Sequence, residues 1–431
     1  MVKIALLGLG TVGAGVWRIL EDPTGRDPLL RHVEVYGIAV RSLSKPRPVA
    51  VPEALLTTDA MALVTDPSVD IVVELMGGIE PALPLLKTAL DHGKHVVSAN
   101  KALLARHFRA LTALARHRGV YLLFEAAVGG GIPLIQPVRQ CLGANRIERL
   151  VGIINGTTNY ILSAMAREGV PYAQALNEAQ HLGFAEQDPT ADVEGHDTQE
   201  KLALLSALVF RTAIVPLAEI PCTGITRIGI EDLRYARELG FGVKLLAVAQ
   251  KTASGQLDLQ VAPHFVPADH PLNQVEGADN AVLVEGEPLG RVMLLGPGAG
   301  SGPTASAVVS DILNIIAHHE GAFLDPQMTG EPTCQADLLP ATQRRGRYYV
   351  RLGVMDQPGM IGIVGHAFGE QGVSLESVVQ KASHGTQAEL VVITHWVAEG
   401  QLHRALAQLE GLGVSIGALL RVLAREDEPS G

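Results

Sequence analysis

The densest group of side chains that could act in chemistry lies in GFAEQDPTADVEGHDTQEKLALL, residues 183–205. Asp197 and Lys201 are four residues apart, so both would face the same side of a helix. The preceding loop adds carboxylates at Glu186, Asp188, Asp192 and Glu194. Carboxylates can hold the ammonium group of a ligand, and a lysine ammonium can give a proton to a carbonyl oxygen. On spacing alone, an exposed ion pair worth about 0.3–0.5 kcal/mol is the alternative.

A glycine-rich turn near the N-terminus predicts a second kind of site, one that binds phosphate. An apolar run at residues 2–7 predicts a buried parallel strand, and residues 11–20 predict a helix. Between them lies G-x-G-x-x-G, whose glycines allow a tight turn, close approach of a pyrophosphate, and close packing of helix on strand. The predicted cofactor residues of this turn are Gly8, Gly10, Thr11, Val12 and Gly13.

The second predicted strand, residues 32–40, bears on the identity of the nicotinamide cofactor. NAD sites place an acidic residue at the end of this strand, for the ribose hydroxyl. Here Arg41 follows the strand and Lys45 comes soon after, whereas Glu34 lies at the strand's start. A cation at this place suits a 2′-phosphate, so the sequence predicts a preference for NADP(H), with NAD(H) also possible. A solvated basic loop is the alternative.

Strands and helices alternate along the first part of the chain. Further strands are predicted at residues 71–75 and 95–98, with a helix between them that ends near Gly93. This alternation predicts an α/β fold with a Rossmann-type, doubly wound parallel sheet. Ligands of such sheets bind beyond the C-terminal ends of the strands, where Ser98 and Lys101 lie. Lys101 could instead begin a helix and face solvent.

The composition predicts a globular protein of two or three domains, with 431 residues, 47% hydrophobic and 18% charged. A net charge of −11 argues against a nucleic-acid partner. Three widely spaced cysteines predict reduced thiols rather than a disulfide framework. The chain has no apolar run that would cross a membrane, and glycines interrupt the apolar N-terminus, against a secretion signal. We therefore expect a cytoplasmic protein without membrane partners.

Three further segments could serve a ligand. FEAAVGGGIPLI, residues 124–135, combines Glu125 with glycines that let carbonyl oxygens converge, which suits a hard cation. A flexible hinge between domains is equally consistent with this segment. Thr157, in INGTTN, would hydrogen-bond a substrate or shape its pocket. GPGAGSGPTAS predicts a second glycine loop that brings Gly300 near the cofactor, before a helix that begins near Thr304.

The C-terminal quarter predicts a separate module. Residues 325–346 are rich in proline, glycine and polar residues, which is typical of a linker. Residues 347–425 follow the order β-α-β-β-α-β, a ferredoxin-like arrangement. The turn at residues 356–359, with Gly372 ahead of the next strand, resembles that of an ACT domain. The resemblance implies an amino-acid effector bound between paired copies, while a purely oligomeric role is the alternative.

Five stretches resemble the homoserine dehydrogenase family. They are the glycine turn, GKHVVSANKALLA, GIINGTTNYIL, GFAEQDPTADVEGHDTQEKLALL and GPGAGSGPTASAVVSDI. One departure is Ser98, where the family often has threonine. The resemblance implies NADPH-dependent reduction of L-aspartate 4-semialdehyde to L-homoserine, in threonine, methionine and isoleucine biosynthesis. We predict a nucleotide-binding domain over residues 1–130, completed by 299–320, and an α+β catalytic and dimerisation domain over 131–298.

The resemblance also implies a role for each candidate residue. Lys201 would donate the proton, Glu186 and Asp197 would bind substrate, and Asp192 would support them. Lys101 would lie beside the nicotinamide and the substrate.

The family resemblance further implies a monovalent cation, usually sodium. Its ligands would be Glu125 and the backbone oxygens of Val128, Gly130 and Ile132. Threonine would be the effector of the ACT domain, and the protein would be a homodimer or homotetramer.

Two other functions fit the same residues. Another NADP-dependent dehydrogenase, acting on a different amino acid or semialdehyde, would differ only in its substrate. A protein that senses a nucleotide and an amino acid without turnover would have no need of a proton donor, so Lys201 discriminates between a sensor and an enzyme.

Overall fold

The structure is a computed structural model that describes residues 1–320, 335–384 and 387–424. The chain divides into two compact units, and each consists of stretches that are not contiguous in sequence. The first unit comprises Met1–Leu150, Glu200–Glu219 and Asn280–Ala336. The second unit comprises Val151–Gln199, Ile220–Asp279 and Asp337–Gly431.

Helices and strands alternate over the first part of the chain, as the sequence predicts. The α-helices are α1 (Thr11–Glu21), α2 (Ala60–Thr65), α3 (Ala82–Asp91), α4 (Lys101–Arg118), α5 (Gly156–Glu168), α6 (Tyr172–His181), α7 (Thr190–Val193), α8 (His196–Phe210), α9 (Ile230–Glu238), α10 (Ser301–Glu320), α11 (Met360–Glu370) and α12 (Glu399–Gly411). The strands are β1 (Val2–Leu7), β2 (Val33–Ala39), β3 (Leu56–Thr57), β4 (Ile71–Glu74), β5 (His95–Ser98), β6 (Leu122–Leu123), β7 (Arg146–Ile153), β8 (Phe241–Lys251), β9 (Leu257–Pro267), β10 (Asp279–Glu287), β11 (Gly290–Pro297), β12 (Arg345–Met355), β13 (Leu375–His384), β14 (Gln387–Thr394), β15 (Val397–Ala398) and β16 (Ser415–Val422).

The first unit is built on a parallel sheet in the order β3-β2-β1-β4-β5-β6. The order reverses between β1 and β4, which confirms the predicted Rossmann-type, doubly wound sheet. Apolar side chains of the central strands, among them Ile4, Leu6 and Val73, are fully buried. They share a core with α1 and with Val308 and Ile312 of α10. Helix α10 therefore belongs to the Rossmann-type domain, although it lies almost 300 residues after β1 in the chain.

Helix α10 begins at Ser301, three residues before the predicted start near Thr304. Pro303 thus lies in the first turn of the helix, where proline is tolerated because the amide there has no partner within the helix. Similarly, β12 begins at Arg345, inside the segment predicted to be a linker. Residues 325–334 of that predicted linker lie outside the described residues.

The second unit contains a mixed sheet in the order β8-β9-β16-β12-β14-β13. Strands β16, β12, β14 and β13 pair in antiparallel fashion, and α11 and α12 cover one face. Their order along the sheet and the sequence β-α-β-β-α-β confirm the predicted ferredoxin-like module. Its core includes Val350, Phe368, Leu402 and Leu409, which are all buried.

The outer edge of β9 is covered by three successive segments of the second unit. Near its start, Leu257 pairs with Leu338, and near its middle, Val261 pairs with Cys222. Toward its end, β9 pairs in parallel with β16 of the ferredoxin-like module. The module is thus joined to β9 by main-chain hydrogen bonds, which the sequence did not predict.

Side chains strengthen this junction. Asp232 of α9 is fully buried and accepts hydrogen bonds from Tyr349 Oη (3.0 Å) and Arg351 Nε (2.8 Å) of β12. Arg344 and Asp258 form a second ion pair with an Nε–Oδ1 distance of 2.6 Å, and both side chains are 3% exposed. Within the described part of the chain, no helix is both long and apolar enough to cross a membrane.

Candidate active site

The turn between β1 and α1 has the geometry of a dinucleotide site. Gly8 has a φ of +110°, and a Cβ there would lie 2.8 Å from the carbonyl oxygen of Leu75. A Cβ on Gly13 would lie 2.4 Å from the carbonyl oxygen of Gly8, so α1 packs directly on the turn. By contrast, a Cβ on Gly10 would meet nothing within 4 Å. The backbone at Gly10 is therefore open to a pyrophosphate, while the other two glycines shape the turn.

The second glycine loop lies beside this turn within the first unit. Ser301 Oγ donates a hydrogen bond to the carbonyl oxygen of Thr11 at 2.7 Å. Gly300 has a φ of +120°, and its carbonyl accepts from the amide of Thr304 as α10 begins. Gly15 of α1 faces Ser301, and a Cβ there would lie 2.6 Å from the Ser301 carbonyl oxygen. Thus Thr11 and Gly300, which the sequence places far apart, lie in one region of the structure.

The loop after β2 is basic and exposed. Strand β2 ends at Ala39, and Glu34 is its second residue, at the end far from the turn. Arg41 and Lys45 are exposed. Arg47 folds back and donates to the carbonyl oxygens of its own loop. Arg41 and Lys45 therefore remain the cations available to an anionic ligand at this strand end.

Glu74, a residue that sequence reasoning missed, organises the C-terminal ends of β4 and β5. Its carboxylate is fully buried and accepts hydrogen bonds from Ser98 Oγ (2.7 Å) and from the amide of Met76 (2.8 Å). Asn100 donates to the carbonyl oxygen of Gly78 at 2.6 Å and caps α4, whose first residue is Lys101. The signal in the sequence was an acidic residue in the otherwise apolar strand IVVEL.

The Ser98 hydroxyl therefore donates to a buried carboxylate. The candidate Lys101 is half-buried at the first position of α4, in the turn that Asn100 fixes.

The side-chain amide of Asn155 bridges two of the predicted carboxylates. Asn155 Nδ2 donates to Asp192 Oδ1 at 2.7 Å and to Asp197 Oδ2 at 2.9 Å. The Oδ1 atom of Asn155 accepts from the amide of Thr158 and caps α5, which fixes the side chain in place. We call Asn155, Asp192 and Asp197 the carboxylate cluster. Sequence reasoning missed Asn155, although its position before a helical run is typical of an N-cap.

Helix α8 carries both Asp197 and Lys201. Asp197 is 5% exposed, whereas Lys201 is half-buried one turn further along the helix. The next residues, Leu202, Leu204 and Leu205, are buried and anchor the helix. This burial differs from the alternative of a fully exposed surface ion pair.

The two remaining substrate candidates flank the carboxylate cluster in sequence. Thr157 is buried, and its hydroxyl donates to the carbonyl oxygen of Phe184 at 2.7 Å, so the hydroxyl proton is already engaged. Glu186 is exposed, and its carbonyl accepts from Gln180 Nε2. The structure therefore brings Asp192 and Asp197 together, while the Glu186 side chain stays in solvent.

Glu125 organises the glycine-rich segment at residues 124–135. Its carboxylate is buried and accepts from three consecutive amides, those of Leu134, Ile135 and Gln136, at 2.6–2.8 Å. Its own amide donates to Asp311 Oδ2. Burial, together with the nearby Glu125 carboxylate, raises the pKa of Asp311 well above its usual range.

The glycines of this segment pack closely against the second glycine loop. A Cβ on Gly130, whose φ is +61°, would lie 2.0 Å from the carbonyl oxygen of Gly298. A Cβ on Gly131 would lie 2.6 Å from Pro303. In the residues that the structure describes, no group of three or more His, Cys, Asp or Glu side chains could hold a metal ion. A cation in this segment would therefore depend on backbone oxygens, for which residues 128, 130 and 132 remain candidates.

Comparisons with known proteins agree with the fold and the glycine turn. Residues 8–125 match the NAD-binding domain of homoserine dehydrogenase, residues 133–313 match homoserine dehydrogenase itself, and residues 348–414 match the ACT domain. Together with the turn between β1 and α1, these matches define an NAD(P)-dependent oxidoreductase with a C-terminal ACT domain.

Whole-chain relatives make the assignment specific. A homoserine dehydrogenase of Synechocystis sp. is 50% identical over 98% of this chain and 100% of its own. The crystal structure of a homoserine dehydrogenase from Thiobacillus denitrificans has a TM-score of 0.89 and 39% identity, and covers 98% of both chains. A hyperthermophilic archaeal homoserine dehydrogenase in complex with NADPH has a TM-score of 0.59 and 29% identity, over 73% of this chain and 98% of its own. The chain belongs to the homoserine dehydrogenase family.

Proposed function

We propose that the chain catalyses the reversible, NADPH-dependent reduction of L-aspartate 4-semialdehyde to L-homoserine, a step toward threonine, methionine and isoleucine. The carboxylate cluster is the observation that carries this proposal, since a fixed pair of carboxylates suits the ammonium group of an amino-acid substrate. The decrease of NADPH absorbance with the semialdehyde tests the reaction directly. Turnover of other semialdehydes at equal or higher kcat/KM would contradict the assignment of substrate.

The residues around the glycine turn fit a nicotinamide cofactor, because the Gly10 backbone is open and α1 begins there. NADPH held at this turn would supply the hydride for reduction of the substrate's aldehyde. The carboxylates of Asp192 and Asp197 hold the α-ammonium, with Glu186 as a further substrate ligand. Lys201 donates a proton to the carbonyl oxygen, and in the reverse direction neutral Lys201 takes the proton from the hydroxyl.

Lys201→Ala tests this mechanism. We expect kcat to fall by about 10²–10⁴-fold, the usual contribution of a positioned acid or base. The affinity for NADPH, measured by fluorescence titration, should change less than twofold. Lys87→Ala, which removes an exposed lysine of α3, is the matched control and should leave kcat unchanged. A Lys201→Ala variant with the turnover of the parent would refute the mechanism.

The preference for NADPH rests on Arg41 and Lys45, the exposed cations after β2. The archaeal relative bound to NADPH supports this choice of cofactor. The double substitution of Arg41 and Lys45 by alanine should lower kcat/KM for NADPH at least tenfold and leave that for NADH unchanged. Arg26→Ala, at an exposed arginine on another loop, is the control. Equal loss with both cofactors would contradict a role in binding a 2′-phosphate.

We also propose that a sodium ion binds at the glycine-rich segment. The backbone oxygens of Val128, Gly130 and Ile132 would hold it, with the Glu125 carboxylate fixed nearby by three amides. Exchange of Na⁺ for a bulky organic cation should lower the thermal midpoint as well as the activity. Identical midpoints in both salts would contradict the site.

Feedback control by threonine is proposed to act through the turn of the ACT module. This turn borders a cavity of about 350 Å³ whose lining includes Asp356, Gln357 and Gly359, with a φ of +95° at Gly359. Threonine should inhibit the enzyme, and Asp356→Ala should weaken the inhibition at least tenfold. Light scattering should show a homodimer or homotetramer. Kinetics that do not respond to threonine, with no detectable binding, would leave the module an oligomeric role only.

A further inference from the structure

A cavity of about 450 Å³ lies within the first unit, at the edge of the parallel sheet where its strands begin. Its volume is within the range of small-molecule sites. It is lined by the first residues of β1, β4 and β5, which are Val2, Ile71 and His95, and by Ile315 and Ile316 of α10. We call this space the strand-start cavity. Since the turn between β1 and α1 follows the opposite end of β1, the cavity is separate from the cofactor site.

Lys94, which directly precedes β5, is the residue that points to a ligand. It lines the cavity and is only 6% exposed, so most of its aliphatic stem is enclosed by protein. Its ammonium keeps accessible surface, and within the described ranges of the chain it forms no hydrogen bond or ion pair. An ammonium group can donate three hydrogen bonds. These donors are therefore available to a ligand in the cavity.

Two acidic side chains near Lys94 are held by other donors. Asp66 accepts hydrogen bonds from Tyr36 Oη and from the amide of Ser68, both at 2.8 Å. These bonds lower the pKa of Asp66, and the charge of Lys94 makes a smaller contribution. Asp70, which lines the cavity, accepts from a main-chain amide of β1 at 2.8 Å. Among the residues that the structure describes, Lys94 thus has no counter-ion in contact with it.

The charges around the cavity define the ligand. One unpaired ammonium suits one anionic group, and a carboxylate forms charge-assisted hydrogen bonds with it. A doubly charged phosphate would be repelled by the exposed Asp70, which lines the same cavity. Val2, which is half-buried, and Pro67, which is exposed, add apolar surface. We propose that the strand-start cavity binds a small aliphatic monocarboxylate, with its carboxylate on Lys94 and its hydrocarbon chain against Val2 and Pro67.

Isothermal titration of the full-length protein with 4-methylpentanoate tests the site. We expect saturable binding, with a Kd at least tenfold higher in Lys94→Met. Methionine keeps an unbranched apolar stem and removes only the charged donor, so the thermal midpoint should not fall. Lys87→Met, at an exposed lysine of α3, is the matched control and should change neither quantity. Pro67→Trp, which narrows the cavity from an exposed position, should also raise the Kd at least tenfold.

Methyl NMR locates the ligand. The signals of Ile315 and Ile316 should shift during the titration, whereas those of Ile225 and Ile228, which belong to the second unit, should not. Saturating NADPH should leave the Kd unchanged, because the cofactor turn follows the other end of β1. Competition with NADPH would instead assign the carboxylate to the cofactor site and overturn the proposal.

The chemistry of the ligand is tested with two further probes. A cation of similar shape, 3-methylbutylammonium, should not bind, and acetate should bind at least tenfold more weakly than 4-methylpentanoate because it lacks the hydrocarbon chain. Equal binding of either probe would refute the proposed class of ligand. A lysine that buries its stem and keeps its ammonium in water is the alternative. It predicts no binding of 4-methylpentanoate, or the same Kd in the parent and in Lys94→Met, and either result would refute the site. None of these measurements depends on the proposed reaction.

Discussion

Single buried polar side chains hold the candidate site in shape. Glu74 ties the ends of β4 and β5 together, and Asn155 ties two carboxylates to the start of α5. Lys244 of β8 is a third example. The residue is 5% exposed, and its ammonium donates to Asn159 Oδ1 (3.1 Å) and to the carbonyl oxygen of Val275. Since Asn159 lies one helical turn after Asn155, Lys244 fixes the helix that carries the cap of the carboxylate cluster.

Glu74→Gln should destabilise the ends of β4 and β5 and the cofactor site beside them. The amide keeps the shape of the carboxylate but removes the charge that accepts from Ser98 and from backbone amides. We expect a loss of about 2 kcal/mol in the free energy of unfolding, typical of hydrogen bonds to a charged group. We also expect a higher KM for NADPH. Glu80→Gln, at an exposed position after the same strand, should change neither quantity, and an equal effect at both positions would contradict the role of Glu74.

Lys244 makes stability depend on pH in the alkaline range. Burial lowers its pKa from 10.5 to about 8 in the folded state. Between these pH values the unfolded chain binds more protons than the folded chain, so the free energy of unfolding rises with pH, by up to about 3 kcal/mol. Urea unfolding at pH 7.5 and pH 9.5 should show the rise, and Lys244→Met should abolish it. Lys251→Met, at the exposed end of the same strand, should keep it. A parent protein whose stability falls over this range would refute the assignment.

At the scale of secondary-structure elements, the sequence predicted the strands that have a regular apolar pattern. The four longer strands of the first sheet lie within two residues of their predicted positions, because apolar runs between turn residues are a clear signal. The two-residue strands β3 and β6 were missed, since so few residues carry no periodicity. Glu74 and Asn155 were missed for another reason: their importance depends on partners far along the chain, which a single sequence does not reveal.

Two glycines of the turn between β1 and α1 have different roles: Gly10 leaves space for the cofactor, whereas Gly13 is required for packing of the helix. Gly10→Ala adds a Cβ that meets nothing in the protein, so the thermal midpoint should stay within 1–2 °C of the parent, roughly the effect of a neutral surface substitution. Its KM for NADPH should rise at least tenfold, because the methyl group occupies the space of the pyrophosphate. Gly13→Ala should lower the free energy of unfolding by about 1–3 kcal/mol, since its Cβ would press on the carbonyl of Gly8. An unchanged KM in Gly10→Ala would show that phosphate binds elsewhere.

At the scale of the whole molecule, the ACT module is an integral part of the second unit. The sequence predicted a linker followed by a separate module, but Leu338 pairs with Leu257 of β9, and Arg344 forms a buried ion pair with Asp258. Sequence composition describes the local chain and gives no information on what a segment packs against. Since β12 is hydrogen-bonded to α9 and β16 to β9, a change in the module reaches these two elements through direct contacts.

Asp232→Asn should loosen this attachment. The substitution leaves the Arg351 guanidinium, whose side chain is 16% exposed, without its buried counter-charge. Because Glu389 still pairs with Arg351, we expect a loss of about 1–3 kcal/mol, typical of hydrogen bonds between charged groups. Differential scanning calorimetry should resolve an early transition, and limited proteolysis should release the module. Glu231→Gln, at the adjacent half-buried position, should behave like the parent. A single transition at the temperature of the parent would contradict the attachment.

The covered edge of β9 has a consequence for any shortened form of the enzyme. Removal of the chain from Asp337 onward would strip β9 of its partners at Leu257 and along β16, and would leave a row of unpaired amides and carbonyls beside apolar side chains such as Phe265. Exposed strands of this kind recruit other strands. Deleting the module would therefore promote self-association, and a monodisperse truncated form would need charged or proline residues introduced along that strand.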